Sequence, residues 1–299
     1  LYTYQLRTGD TSQLTPVTYP SEHSPEPIVD PHLSPSGKSV AYVRGRDLFV
    51  LDIATRRERR LMHSQSPVLS YGSAEFVAQE ELHRFSGFFW SPDSQHLAFT
   101  EVNNQPVETL YVGDALHPEQ PPQPLRYPRA GTDNAEVRLG VIAVGGGPPL
   151  WVEWARDRLP YLATVVWREG GPLLLTLLSR SQRELELVTV DTKTGKTQRL
   201  LSEHSDAWVN IDQDVPRPLQ DGSGFLWTSE RQGMRELELR DYTGAVKRLI
   251  VDKSQGFRKL LHVDEPGGII SYAASVEPTA QDIYRVSLVS GNPIKLTAS

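Results

Sequence analysis

Two adjacent carboxylates, Glu80 and Glu81, are the residues of this sequence best suited to hold a charged ligand. They lie in EFVAQEELHRFSGFFWSPD, a stretch that predicts a short helix leading into a strand. Adjacent helical residues point about 100° apart, so spacing alone favours one glutamate facing solvent and the other pairing with Arg84 or Arg59. The alternative is that both bind one ammonium group, whose three donors can bridge two carboxylates and cancel their repulsion.

Other chemistries find little support in the residue types. The chain has no cysteine, which excludes disulfides, thiolate metal sites and a cysteine nucleophile. It contains neither the G-x-S-x-G turn of a serine hydrolase nor the H-E-x-x-H pattern of a zinc protease. The TGKT stretch lacks a glycine that a phosphate-binding loop requires, since Val190 stands at that position. We therefore predict no catalytic residue, no metal site and no cofactor in this chain.

A second acidic stretch, EHSDAWVNIDQD, surrounds Trp208. It could form part of a ligand wall. The favoured interpretation is a loop between two blades with a buried tryptophan.

The charge balance limits the partners. The 299 residues carry a formal net charge of −6 and no basic stripe, which argues against nucleic acid and mildly favours a cationic ligand. No apolar run is long enough to cross a bilayer, so no membrane partner is expected. The chain begins with Leu1 and shows no signal peptide, so we expect both ends to have been cut. The composition leaves the compartment open between cytoplasm and periplasm.

Two phrases recur along the chain and indicate a repeat architecture. The first is an apolar strand, a polar turn and a second strand, and its copies begin at Leu1, Leu48, Leu110, Leu185, Leu237 and Ile283. The second is a turn of Ser, Pro, Asp and Gly before an apolar strand, and its copies begin at Leu33, Trp90, Leu219 and Asp264. Together they predict units of two hairpins, or four strands, spaced by ~45–50 residues as in propeller blades.

The predicted fold class is therefore all-β, a propeller of four-stranded antiparallel blades with a short helical insertion. A β-sandwich also has many short strands, but it does not require the same two phrases in the same order. Five whole units and a half can be counted, so we expect an incomplete propeller of five to six blades. Two intervals exceed the basic spacing and predict insertions, at residues 65–87 around the glutamate pair and at residues 126–167.

Several segments carry a resemblance to a known family. The glutamate-pair stretch, Glu75 to Asp93, resembles the corresponding segment of the dipeptidyl peptidase IV family, and RYPRAGTDNAEVRL from Arg126 resembles its Y-P-[KR]-A-G segment. RDLFVLDIATRRERRL and LLSRSQRELELVTVDTKTGKTQRLLSEHSDAWVN are supporting matches. The resemblance spans nearly the whole chain and is greatest to the bacterial enzymes and the cytosolic animal branch.

The resemblance implies a serine exopeptidase whose eight-bladed propeller covers an α/β-hydrolase domain of the same polypeptide. Glu80 and Glu81 would bind the free N-terminus of a peptide, so that the bond after the second residue, usually Pro or Ala, meets the catalytic serine. The aromatic run Phe88–Trp90 would be core support beneath the pair. The longer insertion, around residues 127–152, would correspond to an arm that helps two subunits form a homodimer.

The resemblance also places the catalytic triad in a hydrolase domain that this sequence lacks, and the family's propeller arginine upstream of Leu1. Residues 1–299 are thus expected to form a partial propeller domain that is catalytically silent by itself. One alternative is a stand-alone propeller that binds peptides or proteins as a scaffold. A related endopeptidase or acylaminoacyl peptidase is disfavoured, because blocked or internal substrates have no use for a paired anchor of a free amine.

Overall fold

A computed structural model describes residues 1–15 and 26–297 of the chain. Within these residues the protein is almost entirely β-structure, with one α-helix of five residues and one 3-10 turn. The chain divides into two compact units, one spanning Leu1–Val152 and the other beginning at Glu153. The predicted all-β class is confirmed.

The first unit contains a hairpin, two larger sheets and a second hairpin. Its strands and helix, in chain order, are β1 (Tyr2–Tyr4), β2 (Thr11–Gln13), β3 (Ile28–Leu33), β4 (Ser39–Arg44), β5 (Asp47–Asp52), β6 (Glu58–Met62), β7 (Leu69–Tyr71), α1 (Phe76–Glu80), β8 (Phe88–Trp90), β9 (His96–Asn103), β10 (Thr109–Val112), β11 (Gln123–Arg126), β12 (Glu136–Ala143) and β13 (Leu150–Trp151). The sheets are β1-β2, β3-β4-β5-β6, β10-β11 and β13-β12-β9-β7, and β8 also pairs with β9. Every pairing is antiparallel.

The second unit contains three four-stranded antiparallel sheets, each built from strands consecutive in the chain. Its elements are β14 (Tyr161–Val166), β15 (Leu173–Leu178), β16 (Glu184–Val190), β17 (Thr197–His204), β18 (Arg217–Pro218), β19 (Phe225–Ser229), β20 (Glu236–Arg240), β21 (Val246–Val251), a 3-10 turn (Lys253–Gln255), β22 (Phe257–Asp264), β23 (Ile269–Ala274), β24 (Asp282–Ser287) and β25 (Ile294–Lys295). The sheets are β14-β15-β16-β17, β18-β19-β20-β21 and β22-β23-β24-β25.

The central strands are buried on both faces, which explains their continuous apolar runs. In β4, Ala41 and Val43 pack into a core with Phe88 and Trp90 of β8. The residues that alternate with them, such as Tyr42, pack on the other face against a separate core. Strand period two therefore divides one strand between two cores. Phe88 and Trp90 are buried in this core, as expected for residues that support the glutamate segment from below.

The unit count predicted from the phrases agrees with the sheets of the described residues. Five sheets of four or more strands are present, together with the β1-β2 hairpin as the half unit. The copy of the first phrase that begins at Leu110 differs, because β10 and β11 pair only with each other among the described strands. No residue of either strand is buried, whereas β12 is mostly buried and pairs with β9 in the sheet instead.

The predicted longer insertion, residues 126–167, therefore contains strands of the regular sheets. β12, β13 and β14 all lie inside it. The segment that leaves the sheet runs between β9 and β12 and carries the β10-β11 hairpin.

The described residues contain neither a membrane-spanning helix nor a cluster of metal ligands. No helix of the described residues has the length and apolar character needed to cross a bilayer. In residues 1–15 and 26–297, no group of three or more His, Asp or Glu side chains could together hold a metal ion.

Candidate functional site

The glutamate pair lies on an excursion that interrupts the edge strand of the five-stranded sheet. β7 and β8 both pair with β9, on either side of Thr100. Thr100 fixes both ends of the excursion, because its carbonyl accepts from Gly72 N at 2.8 Å and its N–H donates to Gly87 O at 2.8 Å. Residues 72–87 therefore form a loop closed by a narrow neck.

The neck depends on a close backbone approach at Gly87. Ser73 and Ser86 form an isolated β-bridge across it, and Thr100 Oγ1 donates to Ser73 O at 2.8 Å. A Cβ atom at Gly87 would lie 2.5 Å from Gly72 C and from Ser73 N, which is closer than any real Cβ contact. Glycine at position 87 therefore allows the loop to close.

The local helix directs the pair to solvent, because its apolar residues recur at every fourth position. Ala74, Ala78 and Leu82 are buried, and this spacing puts them on one face of a helical turn. Glu80 is the last residue of α1 and Glu81 is its C-cap residue, and both are exposed. Among the described residues neither carboxylate belongs to an ion pair, so both charges remain available to a ligand.

The two arginines that the spacing suggested as partners are engaged elsewhere. Arg84 Nη2 lies 2.9 Å from Glu75 Oε2, and both side chains of this ion pair are buried. Arg59 Nη1 donates to Gly145 O at 2.7 Å. Glu75 is the N-cap residue of α1 and Arg84 follows its C-terminal end, so the ion pair joins the two ends of the segment that carries the glutamates. No pattern in the sequence indicates this role for Glu75.

A second anchor reaches the loop from β3. Ser86 Oγ donates to Asp30 Oδ2 at 2.7 Å, and His32 Nε2 lies 2.8 Å from Asp30 Oδ1. Burial by itself would raise the pKa of Asp30, but the hydrogen bonds from His32 and Ser86 outweigh it and the pKa is lowered. The hydrogen bond that His32 donates to this carboxylate raises the pKa of His32 in turn. Asp30 has a φ of 52° at a register shift in β3, and the only local signal is the Asp-Pro dipeptide, typical of a turn.

The two segments that carry most of the sequence resemblance are in contact. The ring of Tyr127, from RYPRAG, packs edge-on against Phe76 of α1 with ring centroids 4.9 Å apart. Arg129 of the same segment forms a bidentate ion pair with Glu108, at 2.6 Å from Nε to Oε1 and 2.8 Å from Nη2 to Oε2. The RYPRAG segment thus supports one side of the helix that carries the pair.

The acidic stretch around Trp208 forms part of a cavity in the second unit. The cavity has a volume of about 350 Å³, and Glu203, Asp212 and Arg231 are among its lining residues. Trp208 is 63% exposed, so the favoured interpretation of a buried tryptophan was wrong and the ligand-wall interpretation fits better. Burial raises the pKa of Glu203, and hydrogen bonds from Trp227 Nε1 and other donors offset this only in part. An indole beside carboxylates can stabilise a cationic or aromatic group.

Comparison with known proteins identifies the family. The model of the dipeptidyl peptidase IV N-terminal region matches residues 1–299. The chain belongs to this family. Dipeptidyl peptidase 8 of Mus musculus is 26% identical over 267 residues, which cover 70% of this chain and 30% of that protein. Inactive dipeptidyl peptidase 10 of Rattus norvegicus is 26% identical over 297 residues, covering 95% of this chain and 36% of that protein.

A solved structure extends the likeness to the fold. The crystal structure of Porphyromonas gingivalis dipeptidyl peptidase 4 superposes with a TM-score of 0.85 and 24% identity, covering the whole of this chain and 42% of that one. This confirms the predicted propeller class with four-stranded antiparallel blades. The chain spans about a third of the length of the curated dipeptidyl peptidases it matches. It is thus an N-terminal region of the dipeptidyl peptidase type.

Proposed function

We propose that this chain is the substrate-recognition and gating propeller of a serine dipeptidyl peptidase, and that Glu80 and Glu81 together bind the free amino group of the peptide. The observation that carries the proposal is the placement of both carboxylates, exposed and outside any ion pair of the described residues, on a loop fixed at its neck. Membership of the dipeptidyl peptidase family supplies the context in which such a site is useful.

The chemistry follows from the shape of an ammonium ion. It carries three N–H donors, which can be shared between two carboxylates, and its positive charge offsets their mutual repulsion. When the amine is held at a fixed place, the peptide bond after the second residue is the one that reaches the catalytic serine. Binding energy far from the reacting atoms then positions the bond, which is an X-Pro or X-Ala bond in this proposal. An α/β-hydrolase domain elsewhere in the same polypeptide would supply the serine.

The test compares an Ala-Pro peptide that has a free amine with its N-acetylated form, each titrated calorimetrically into the full chain. We expect only the free-amine peptide to bind. Glu80→Gln and Glu81→Gln should each weaken binding by at least about 30-fold, because losing one partner of a desolvated charge pair costs roughly 2–5 kcal/mol. Glu277→Gln removes an exposed carboxylate of the second unit and is the matched control. Equal binding of the acetylated peptide would refute the proposal.

The alternative function is a binding propeller that holds peptides without turnover. The match to an inactive dipeptidyl peptidase over 95% of this chain keeps this alternative open. Both functions predict the same binding of free amines. They differ in whether the full-length protein that carries this chain releases a dipeptide from the bound peptide.

We further propose that the β10-β11 hairpin is the arm that a second copy of the protein covers. A two-stranded hairpin is marginally stable by itself in water, so it needs a partner. The hairpin exposes large apolar side chains, with Tyr111 72% exposed and Leu116 85% exposed. We therefore propose residues 109–126 as the arm, ahead of the segment around residues 127–152 that the resemblance implied.

A further inference from the structure

The buried ion pair between Glu75 and Arg84 suggests a role beyond holding the loop together. Residues 72–87 carry three carboxylates, those of Glu75, Glu80 and Glu81, and one guanidinium, that of Arg84. The guanidinium lies 2.9 Å from the buried carboxylate of Glu75. The loop therefore neutralises its internal charge and leaves the two exposed carboxylates negative.

The spacing of these residues in the chain would favour a different pairing. Arg84 follows Glu80 by four positions and Glu81 by three. On a continuous helix, an acid followed three or four residues later by an arginine forms the usual surface ion pair. A helix extended by one turn would thus bring Arg84 to the exposed glutamates and neutralise the site.

The structure prevents this by ending the helix early. Glu81 is the C-cap residue of α1, and His83 adopts a left-handed conformation with φ of 56°. The N–H of Arg84 then donates to Ala78 O at 2.8 Å, and its Nη1 donates to Ser86 O at 2.9 Å. The chain reversal sends the guanidinium inward, where only 3% of the arginine side chain and 4% of the Glu75 side chain are exposed.

We propose that Glu75 sequesters Arg84, and that this keeps an internal cation from occupying the binding site formed by Glu80 and Glu81. Glu75 is in this account a positioning residue that acts through Arg84 and does not touch the ligand. The inference rests on the proposed function of the pair. A buried guanidinium that loses its carboxylate is strongly destabilised, so it moves to other carboxylates within reach. The nearest acids along the chain after Glu75 are Glu81 and Glu80, which would then be occupied.

The test is a double-mutant cycle on Glu75 and Arg84 in the full chain. Its readout is the dissociation constant for the free-amine Ala-Pro peptide. Glu75→Gln should weaken binding by roughly tenfold or more, the scale of one charge-assisted hydrogen bond. The double variant Glu75→Gln/Arg84→Gln removes the competing cation, so its affinity should return to within about threefold of the unmodified chain. The double variant should still unfold at a lower temperature than the unmodified chain, because it has lost the buried ion pair. Affinity and stability are therefore expected to change independently.

A purely structural role predicts that removing Arg84 does not restore binding. If Glu75 and Arg84 only brace the loop, the double variant should bind as weakly as Glu75→Gln, and that result would overturn the inference. Arg84→Gln keeps the inference testable where Glu75→Gln fails to fold, since it should retain binding despite a lower unfolding temperature, and loss of binding would count against it. Failure of the proposed function has a different signature: the unmodified chain would then bind free-amine and acetylated peptides equally.

Discussion

Substitution of Gly87 by alanine tests whether the neck of the loop determines the glutamate site. The added Cβ would lie 2.5 Å from Gly72 C and Ser73 N, so the two backbone segments must separate by about 1 Å to restore ordinary contact. Overpacking of this kind costs typically 1–3 kcal/mol. The shift also weakens hydrogen bonds of Thr100 to Ser73 O and Gly87 O, each worth about 1 kcal/mol. We therefore expect Gly87→Ala to lower the free energy of unfolding by roughly 2–4 kcal/mol.

The assay is thermal unfolding together with peptide titration. For a unit of about 150 residues each kcal/mol shifts the unfolding temperature by roughly 2–4 °C, so Gly87→Ala should lower it by about 5–15 °C. Binding of the free-amine peptide should weaken as well, because the loop that carries Glu80 and Glu81 moves with the neck. Gly113→Ala is the matched control, since a Cβ there meets nothing within 4 Å. An unchanged unfolding temperature and affinity in Gly87→Ala would refute the reasoning.

Two further predictions concern the other parts of the chain. Burial raises the pKa of Glu203 above its ordinary 4.5, so the folded state holds the proton more tightly than the unfolded state. The contribution of Glu203 to the free energy of unfolding therefore falls as the pH rises from the unfolded-state pKa through the folded-state pKa. Glu203→Gln cannot titrate, so its unfolding temperature relative to the unmodified chain should increase between about pH 4 and pH 7.5, and a constant difference would contradict the assignment. The variant Tyr111→Lys/Leu116→Lys should shift the full-length protein from dimer to monomer in sedimentation velocity, whereas Val289→Lys, at a position 80% exposed, should not; a dimer that survives the arm variant would disprove the proposed arm.

The regular hairpins could be predicted because their signals are local. The stretch from Leu48 to Met62 has an apolar run, a polar turn and a second run ending in Leu61 and Met62, and it forms β5 and β6 as two paired strands. Pattern alone failed at Leu110, where a similar phrase forms a hairpin with no partner strand among those described. Hairpin periodicity reports the pairing of two strands, but only burial decides whether they join a larger sheet.

The two glutamates of the candidate site could be predicted from the sequence, but the contacts that hold their loop could not. Adjacent acids before an apolar run are visible in the sequence, and the resemblance implied their role. The partner of Arg84 was not visible, because helical spacing favoured Glu80 or Glu81 and the outcome depends on the left-handed turn at His83. Trp208 was misjudged for a related reason. An isolated tryptophan in a loop has no periodic pattern that indicates its burial.

The measurement that tests the central claim most directly is turnover by the full-length protein that carries this chain. An X-Pro peptide with a free amine and its acetylated form would be incubated with the unmodified protein and with Glu81→Ala, and released dipeptide would be quantified by mass spectrometry. The account predicts release only from the free-amine peptide and a loss of kcat/KM of at least about 30-fold in Glu81→Ala. Normal kcat/KM in this variant, or equal release from the acetylated peptide, would contradict the role assigned to the glutamate pair.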